Sequence, residues 1–196
     1  VASRDEILAR VRASAPPAVP LPDLSRLGVR YADPVAQFCE SLAGIGGVAV
    51  RVSDLAAADA ALRALPVHAT ARRIVSLVPG LGASTEDPRA VTDPHAFEGL
   101  DLAVLPGDLA VAENGAVWID GRNLPHRTLF VVPEHVVCCV RAQDVVNDMH
   151  EAYARLAGRT PGYGTFLAGP SKTADIEQSL VIGAQGARSG TVYVIG

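Results

Sequence analysis

Gly47-Val48-Ala49-Val50-Arg51-Val52 and Arg73-Ile74-Val75-Ser76-Leu77-Val78 are two short runs rich in β-branched residues. Such runs read as strands. The second closes at Pro79-Gly80, a turn signal. Between the two, Ser53 is placed to cap an Ala-rich helix running to about Ala64. Before the first, Asp33 and Pro34 suit an N-cap and first helical position. Val35, Phe38 and Leu42 then share one helix face, and Gly44 supplies the stop. Helix–strand–helix–strand order predicts a mostly parallel sheet covered on both faces, because neighbouring parallel strands need a crossover.

Composition agrees with that architecture. The chain has 196 residues, 49% hydrophobic and 19% charged, which marks a globular chain with a full core. Aromatic residues make up only 5%, so the core must be Val, Leu, Ile and Ala, as buried parallel strands under Ala-rich helices require. The formal net charge is -4 and no basic cluster exceeds Arg72-Arg73, which argues against nucleic acid as a partner. No apolar run reaches the ~18 residues of a membrane span. Arg4, Asp5 and Glu6 come too early for a signal peptide, so a cytoplasmic protein is expected. Cys39, Cys138 and Cys139 form no Cys-x-x-Cys and no disulfide framework, and the last two sit in an apolar run that reads as a buried strand.

Working outward, Ser3 and Glu6 form a capping-box pair ahead of the stripe Ile7, Leu8 and Val11, predicting a helix over 3–14. The stretch Pro16-Pro17-Ala18-Val19-Pro20-Leu21-Pro22 forbids helix and favours an extended linker. Residues 1–22 therefore read as an arm and linker, and 23–196 as one α/β domain. Residues 79–94 form a long loop. Strands are expected at Leu102–Leu105, Leu109–Ala112, Ala116–Ile119, His135–Val140, Phe166–Ala168 and Thr191–Ile195. Helices are expected over Gln143–Leu156, with Val145, Val146, Met149, Tyr153 and Leu156 on one stripe, and over Ala174–Leu180.

Four segments could carry chemistry. In Gly169-Pro170-Ser171-Lys172-Thr173-Ala174-Asp175-Ile176-Glu177 a strand runs into Gly-Pro-Ser and a helix is expected to follow. Backbone N–H groups at such a helix start bind anions, and Ser171, Lys172 and Thr173 add donors and charge, so a small carboxylate or phosphate is the natural ligand. Plain capping by Thr173, with Asp175 and Glu177 favouring the dipole, accounts for the same residues. In Ala112-Glu113-Asn114-Gly115-Ala116, Glu113 is a carboxylate at a strand end that could serve as base or nucleophile; Asn114-Gly115 equally marks a tight hairpin with a solvated Glu. In Asp120–Arg127, Arg122 or Arg127 could clamp a carboxylate, and a polar surface loop would look the same. The loop Gly183–Gly190, with Gly183 and Gly186, permits close backbone approach but precedes a strand, which is the wrong order for a dinucleotide fingerprint. His68, His95, His126, His135 and His150 are scattered without metal-ligand spacing.

Two of these segments carry a resemblance. Gly169-Pro170-Ser171-Lys172-Thr173-Ala174-Asp175-Ile176-Glu177, Leu180-Val181-Ile182-Gly183 with Gly186, and Leu109-Ala110-Val111-Ala112-Glu113-Asn114-Gly115-Ala116 together resemble the lactate-utilisation (LUD) domain family, of the stand-alone lactate-utilisation protein C type. The likeness covers roughly residues 100–196. Asn114 and Ala116 depart from the two threonines usual in that motif, Gln185 from a histidine and Ala187 from a proline. The resemblance implies a three-layer α/β/α sandwich similar to ribose-5-phosphate isomerase and CoA transferases. It also implies a role beside iron–sulfur partner proteins in oxidising L-lactate to pyruvate, with the clusters held by the partners and no cofactor in this chain. Asn114, Gly115, Gly169, Ser171, Lys172, Thr173, Asp175, Gly183 and Gly186 become candidate ligand-binding residues. A second reading stays open. Glu113-Asn114-Gly115 also resembles the surroundings of the nucleophilic glutamate of class I CoA transferases, which would make the protein a CoA-transferase-like or sugar-phosphate-isomerase-like enzyme.

Overall fold

The computed structural model describes residues 3–20, 22–23, 28–158, 162–176 and 178–196; Leu21 of the Pro-rich stretch and Glu177 lie outside them. The elements are α1 (Arg4–Ala13), α2 (Pro34–Gly44), β1 (Val48–Val52), α3 (Leu55–Ala64), α4 (Pro66–Thr70), β2 (Ile74–Ser76), β3 (Leu102–Pro106), β4 (Leu109–Val111), β5 (Ala116–Asp120), β6 (His135–Arg141), β7 (Val145–Val146), α5 (Met149–Leu156), β8 (Gly164–Leu167), β9 (Lys172–Thr173), β10 (Val181–Ile182) and β11 (Ser189–Ile195).

The expected parallel sheet is present. Its order is β1-β11-β6-β3-β2, and every pair in it runs parallel. Period-2 alternation divides the strands between two cores. Val136, Cys138 and Val140 of β6, with Val192 and Val194 of β11, face a cluster that includes Phe38 and Leu42 of α2. Val137 and Tyr193 face the opposite cluster, which includes Ala58 and Leu62 of α3. Phe38 and Leu62 are completely buried, each contributing about 1.5–3 kcal/mol relative to exposure. On the α2 side the covering layer is shared with a second sheet of order β7-β4-β5-β8, whose Ala110, Val117 and Ile119 join the same cluster.

The β2 edge of the sheet is closed by side chains. Ser84 Oγ accepts from Ser76 N and donates to Ser76 O, while Thr85 Oγ1 accepts from Ile74 N and donates to Ile74 O. Two hydroxyls of the loop after β2 thus satisfy backbone groups that would otherwise invite another strand.

Helix α1 carries the expected capping box, with Ser3 Oγ accepting from Glu6 N and Glu6 accepting from Ser3 N. None of its residues is buried, and Ile7 and Val11 are exposed.

Several expected elements are corrected. Asp54, not Ser53, caps α3: its carboxylate accepts from Ala57 N at 2.8 Å, while Ser53 donates to Asp54. The helix expected over Gln143–Leu156 is only Met149–Leu156. Val145 and Val146 pair with Ala110 and Val111 as strand, so two β-branched residues take ladder bonds and Asp148 starts the helix behind them. The helix expected over Ala174–Leu180 does not form in the described residues. Thr173 pairs with Val181 and Lys172 with Ile182, which forces the chain to reverse between them. Asp175 N donates to Thr173 Oγ1, and Gln178 sits at φ 55, outside any right-handed helix.

Candidate functional site

The loss of that helix removes the helix-start anion site expected at Gly169–Glu177. A different arrangement takes its place. Ser171 N donates to Ala187 O, and Gly183 N donates to Ser171 O, so the segments 169–173 and 183–190 lie against each other. Gly190 makes the approach possible, since a Cβ there would stand 3.0 Å from the carbonyl carbon of Gly169. Gly186 is similarly tight, with a Cβ position 3.1 Å from Ser171 Cβ.

Behind these two segments is a cleft of about 240 Å³. Its walls come from four places: Leu42 of α2, Phe130 and Val131 of a 3-10 turn, Phe166 and Leu167 of β8, and the α2-side face of β6 and β11. Gly169, Pro170 and Ser171 form one lip and Gln185, Gly186 and Ala187 the other. The cleft therefore sits between the two sheets, near the amino ends of β6 and β11.

No lining residue carries a formal charge. Ser171 and Gln185 supply the polar side chains against apolar walls; the side chain of Thr191 lies on the other face of β11, with Tyr193. Cys138 lines the floor, and burial pushes its thiol up to about 12, with Cys139 adding to the shift. Cys138 is therefore a neutral, apolar surface at ordinary pH and not a thiolate nucleophile. Such a cleft offers shape, hydrogen bonds and a dry wall; it offers no fixed cation.

Of the residues singled out in the sequence, Gly169, Ser171 and Gly186 line this cleft. Lys172 does not. Its ammonium donates to Ile45 O at the C-terminal end of α2, where it closes an otherwise open carbonyl. Thr173 holds the turn through Asp175 N, and Asp175 itself is exposed. Gly183 is required by φ +84 and by Arg188, whose Cγ lies 2.3 Å from a Cβ placed there.

Glu113, Asn114 and Gly115 are not brought to the cleft. They form the turn between β4 and β5, with Gly115 N donating to Val111 O. Glu113 Oε1 accepts from Met149 N at 2.8 Å, holding the start of α5 beside its cap Asp148. Asn114 Oδ1 accepts from Ala116 N at 3.0 Å. The Glu113 carboxylate is thus engaged at a helix N-terminus, where its charge is favoured.

The polar loop 120–127 is also accounted for locally. Arg122 Nε reaches both oxygens of the buried Asp120, at 2.9 and 3.0 Å. Arg127 lies over the Tyr163 ring, 4.7 Å from its centroid. His126 Nε2 lies 2.7 Å from Val91 O. Sequence reasoning missed Leu42, Phe130, Phe166 and Thr191 as lining residues. The alternation along β6 and β11 groups Cys138 with Val192, but nothing local tells which face carries a cleft.

Residues 93–195 match the model of the LUD domain. The protein is 30% identical to Lactate utilization protein C of Deinococcus radiodurans, covering 96% of this chain and 90% of that protein. It is 29% identical to Lactate utilization protein C of Shouchella clausii and 30% identical to that of Geobacillus kaustophilus, over 48% and 51% of this chain. Those two matches span only 44% of each relative's length. Among solved structures, a DUF162 family protein from Deinococcus radiodurans superposes with a TM-score of 0.65 at 21% identity, covering 86% of this chain and 99% of that one. A family-model match across more than half of the chain, joined to a near full-length relative, places this protein in the LUD domain family.

Proposed function

We propose that the protein is a cytoplasmic lactate-utilisation protein, acting as an accessory, ligand-binding subunit of an iron–sulfur-dependent system that oxidises L-lactate to pyruvate. The observation that carries this reading is the likeness to Lactate utilization protein C of Deinococcus radiodurans, which extends over nearly the whole of both chains. The cleft between the two sheets supports the ligand-binding part. Ser171 and Gln185 can hold the oxygens of a small carboxylate while Leu42 and Leu167 exclude water. The cysteines support assigning redox chemistry to partners. Cys138 and Cys139 are adjacent in β6 and point to opposite faces of the sheet, so they cannot clasp one cluster together.

Two measurements test the reading. Deleting the gene should impair growth on L-lactate and leave growth on glucose intact. A tagged copy should recover iron–sulfur proteins from lactate-grown cells. Normal growth on lactate together with no such association would reject it. A Ser171→Ala, Gln185→Ala double variant that folds but fails to restore growth would tie the role to this cleft.

A further inference from the structure

A second cleft, of about 510 Å³, opens at the other end of the central sheet. The carboxyl ends of four parallel strands converge on it: Val78 follows β2, Pro106 ends β3, Arg141 ends β6 and Ile195 ends β11. Leu55, the first residue of α3, closes the apolar side. In open α/β sheets the crevice outside the carboxyl ends of the strands is where ligands bind.

Among the charged residues lining this cleft, one is a cation. Asp144 and Asp108 both line it. Asp144 faces Arg155 at 3.5 Å, and Asp108 acts electrostatically on Arg122, which Asp120 also engages. Arg141 also lines the cleft and has no ion pair or side-chain hydrogen bond among the described residues. Alternation along β6 puts Arg141 on the same face as Val137 and Cys139, the face covered by α3. Arg141 is paired in register with Ile195, so the two side chains share that face, and a planar guanidinium fork matches a carboxylate bidentately.

We propose that this carboxyl-end cleft is a binding site for a small organic carboxylate, with its oxygens on Arg141 and its apolar body against Leu55, Val78 and Ile195. The site is separate from the Ser171–Gln185 cleft and does not depend on the lactate reading.

The test is a titration of the isotope-labelled full chain, followed by amide NMR, with three probes. Butyrate has both charge and apolar body, butanol only the body, and sulfate only the charge. Butyrate should saturably shift the amides of Gly107, Cys139 and Arg141, and butanol and sulfate should each bind at least about tenfold more weakly. Arg141→Gln should weaken butyrate binding by at least about tenfold, while Arg10→Gln on the exposed helix α1 should leave it unchanged. Equal butyrate affinity in Arg141→Gln, sulfate binding as tightly as butyrate, or shifts confined to the Ser171–Gln185 cleft would each overturn the proposal. Cys139 lines the same cleft and gives a readout that needs no change at Arg141. In a Cys39→Ser background, saturating butyrate should slow alkylation of Cys139 by iodoacetamide several-fold; an unchanged rate counts against the site.

Discussion

The turn at Gly115 rests directly on the backbone of Leu42: a Cβ at Gly115 would stand 2.7 Å from the Leu42 amide nitrogen and 2.8 Å from its Cα. The glycine also has φ +69, a conformation that L side chains rarely adopt. The β4–β5 turn can seat on α2 only without a side chain there. Gly115→Ala should therefore cost about 2–3 kcal/mol, read as a lowered urea midpoint with unchanged slope.

Glu113 should act on stability through α5. Glu113→Ala removes the acceptor for Met149 N and should cost about 0.5–1 kcal/mol, while Glu113→Gln keeps an acceptor and should cost less. Local hydrogen exchange at Met149 and His150 reads this directly. A nucleophilic carboxylate would behave differently: Gln would abolish acyl transfer while leaving those amides protected, and hydroxylamine would trap an acylated Glu113.

Tyr193 is completely buried, and its hydroxyl has no hydrogen-bond partner among the described residues. Burial pushes this phenol up to about 12. An unsatisfied buried hydroxyl destabilises, so Tyr193→Phe should raise stability by about 1 kcal/mol, measured by urea unfolding. A loss of more than that amount would mean that the hydroxyl has a partner in solution.

Acid should weaken the fold in a defined direction. Asp101 Oδ2 accepts from Arg73 N and Arg72 N, each at 2.8 Å, and these bonds hold its carboxyl below the ordinary 3.8. Asp59 is held low first by Arg63 and then by Gly82 N. A carboxyl that is more acidic when folded stabilises fully above its unfolded pKa, and that contribution is lost as pH falls through the folded value. The urea midpoint should therefore stay level down to about pH 4 and drop below it. Asp101→Asn should lower the midpoint at neutral pH and make the drop shallower.

Cys138 should resist alkylation in the native protein. Its thiol is buried and raised to about 12, so iodoacetamide should reach it only through unfolding, with a rate that follows denaturant. Rapid labelling in native buffer would show that the floor of the cleft opens.

The helices and parallel strands of the first half were readable because their signals are local. Asp33-Pro34 caps α2, and the Val-rich runs carry β1 and β2. The errors came where a distant partner outweighs propensity. Val145 and Val146 fit a helical stripe but pair with β4. Ala174–Leu180 has good helix formers, yet the pairing of Thr173 with Val181 turns the chain back on itself. The candidate site was half legible for the same reason. The glycines of 169–190 announce close backbone approach, and the structure uses them for that. Leu42 and Leu167 come together with Ser171 around one cleft only once two sheets have stacked, and no window of sequence contains that fact.

The strand order has a consequence for how the chain reaches its fold. Val48 of β1 pairs with Thr191 of β11, and β11 lies between β1 and β6. During synthesis from the amino end, β1 therefore waits without its sheet partner until almost all the domain has emerged, while β2, β3 and β6 can already align. The insertion of β11 is then the step that joins the two groups, a late, long-range closure of the kind that slows folding. Until it occurs, both faces of the gap are sticky strand edges, so aggregation during expression should track the arrival of this one segment more than the stability of the finished protein.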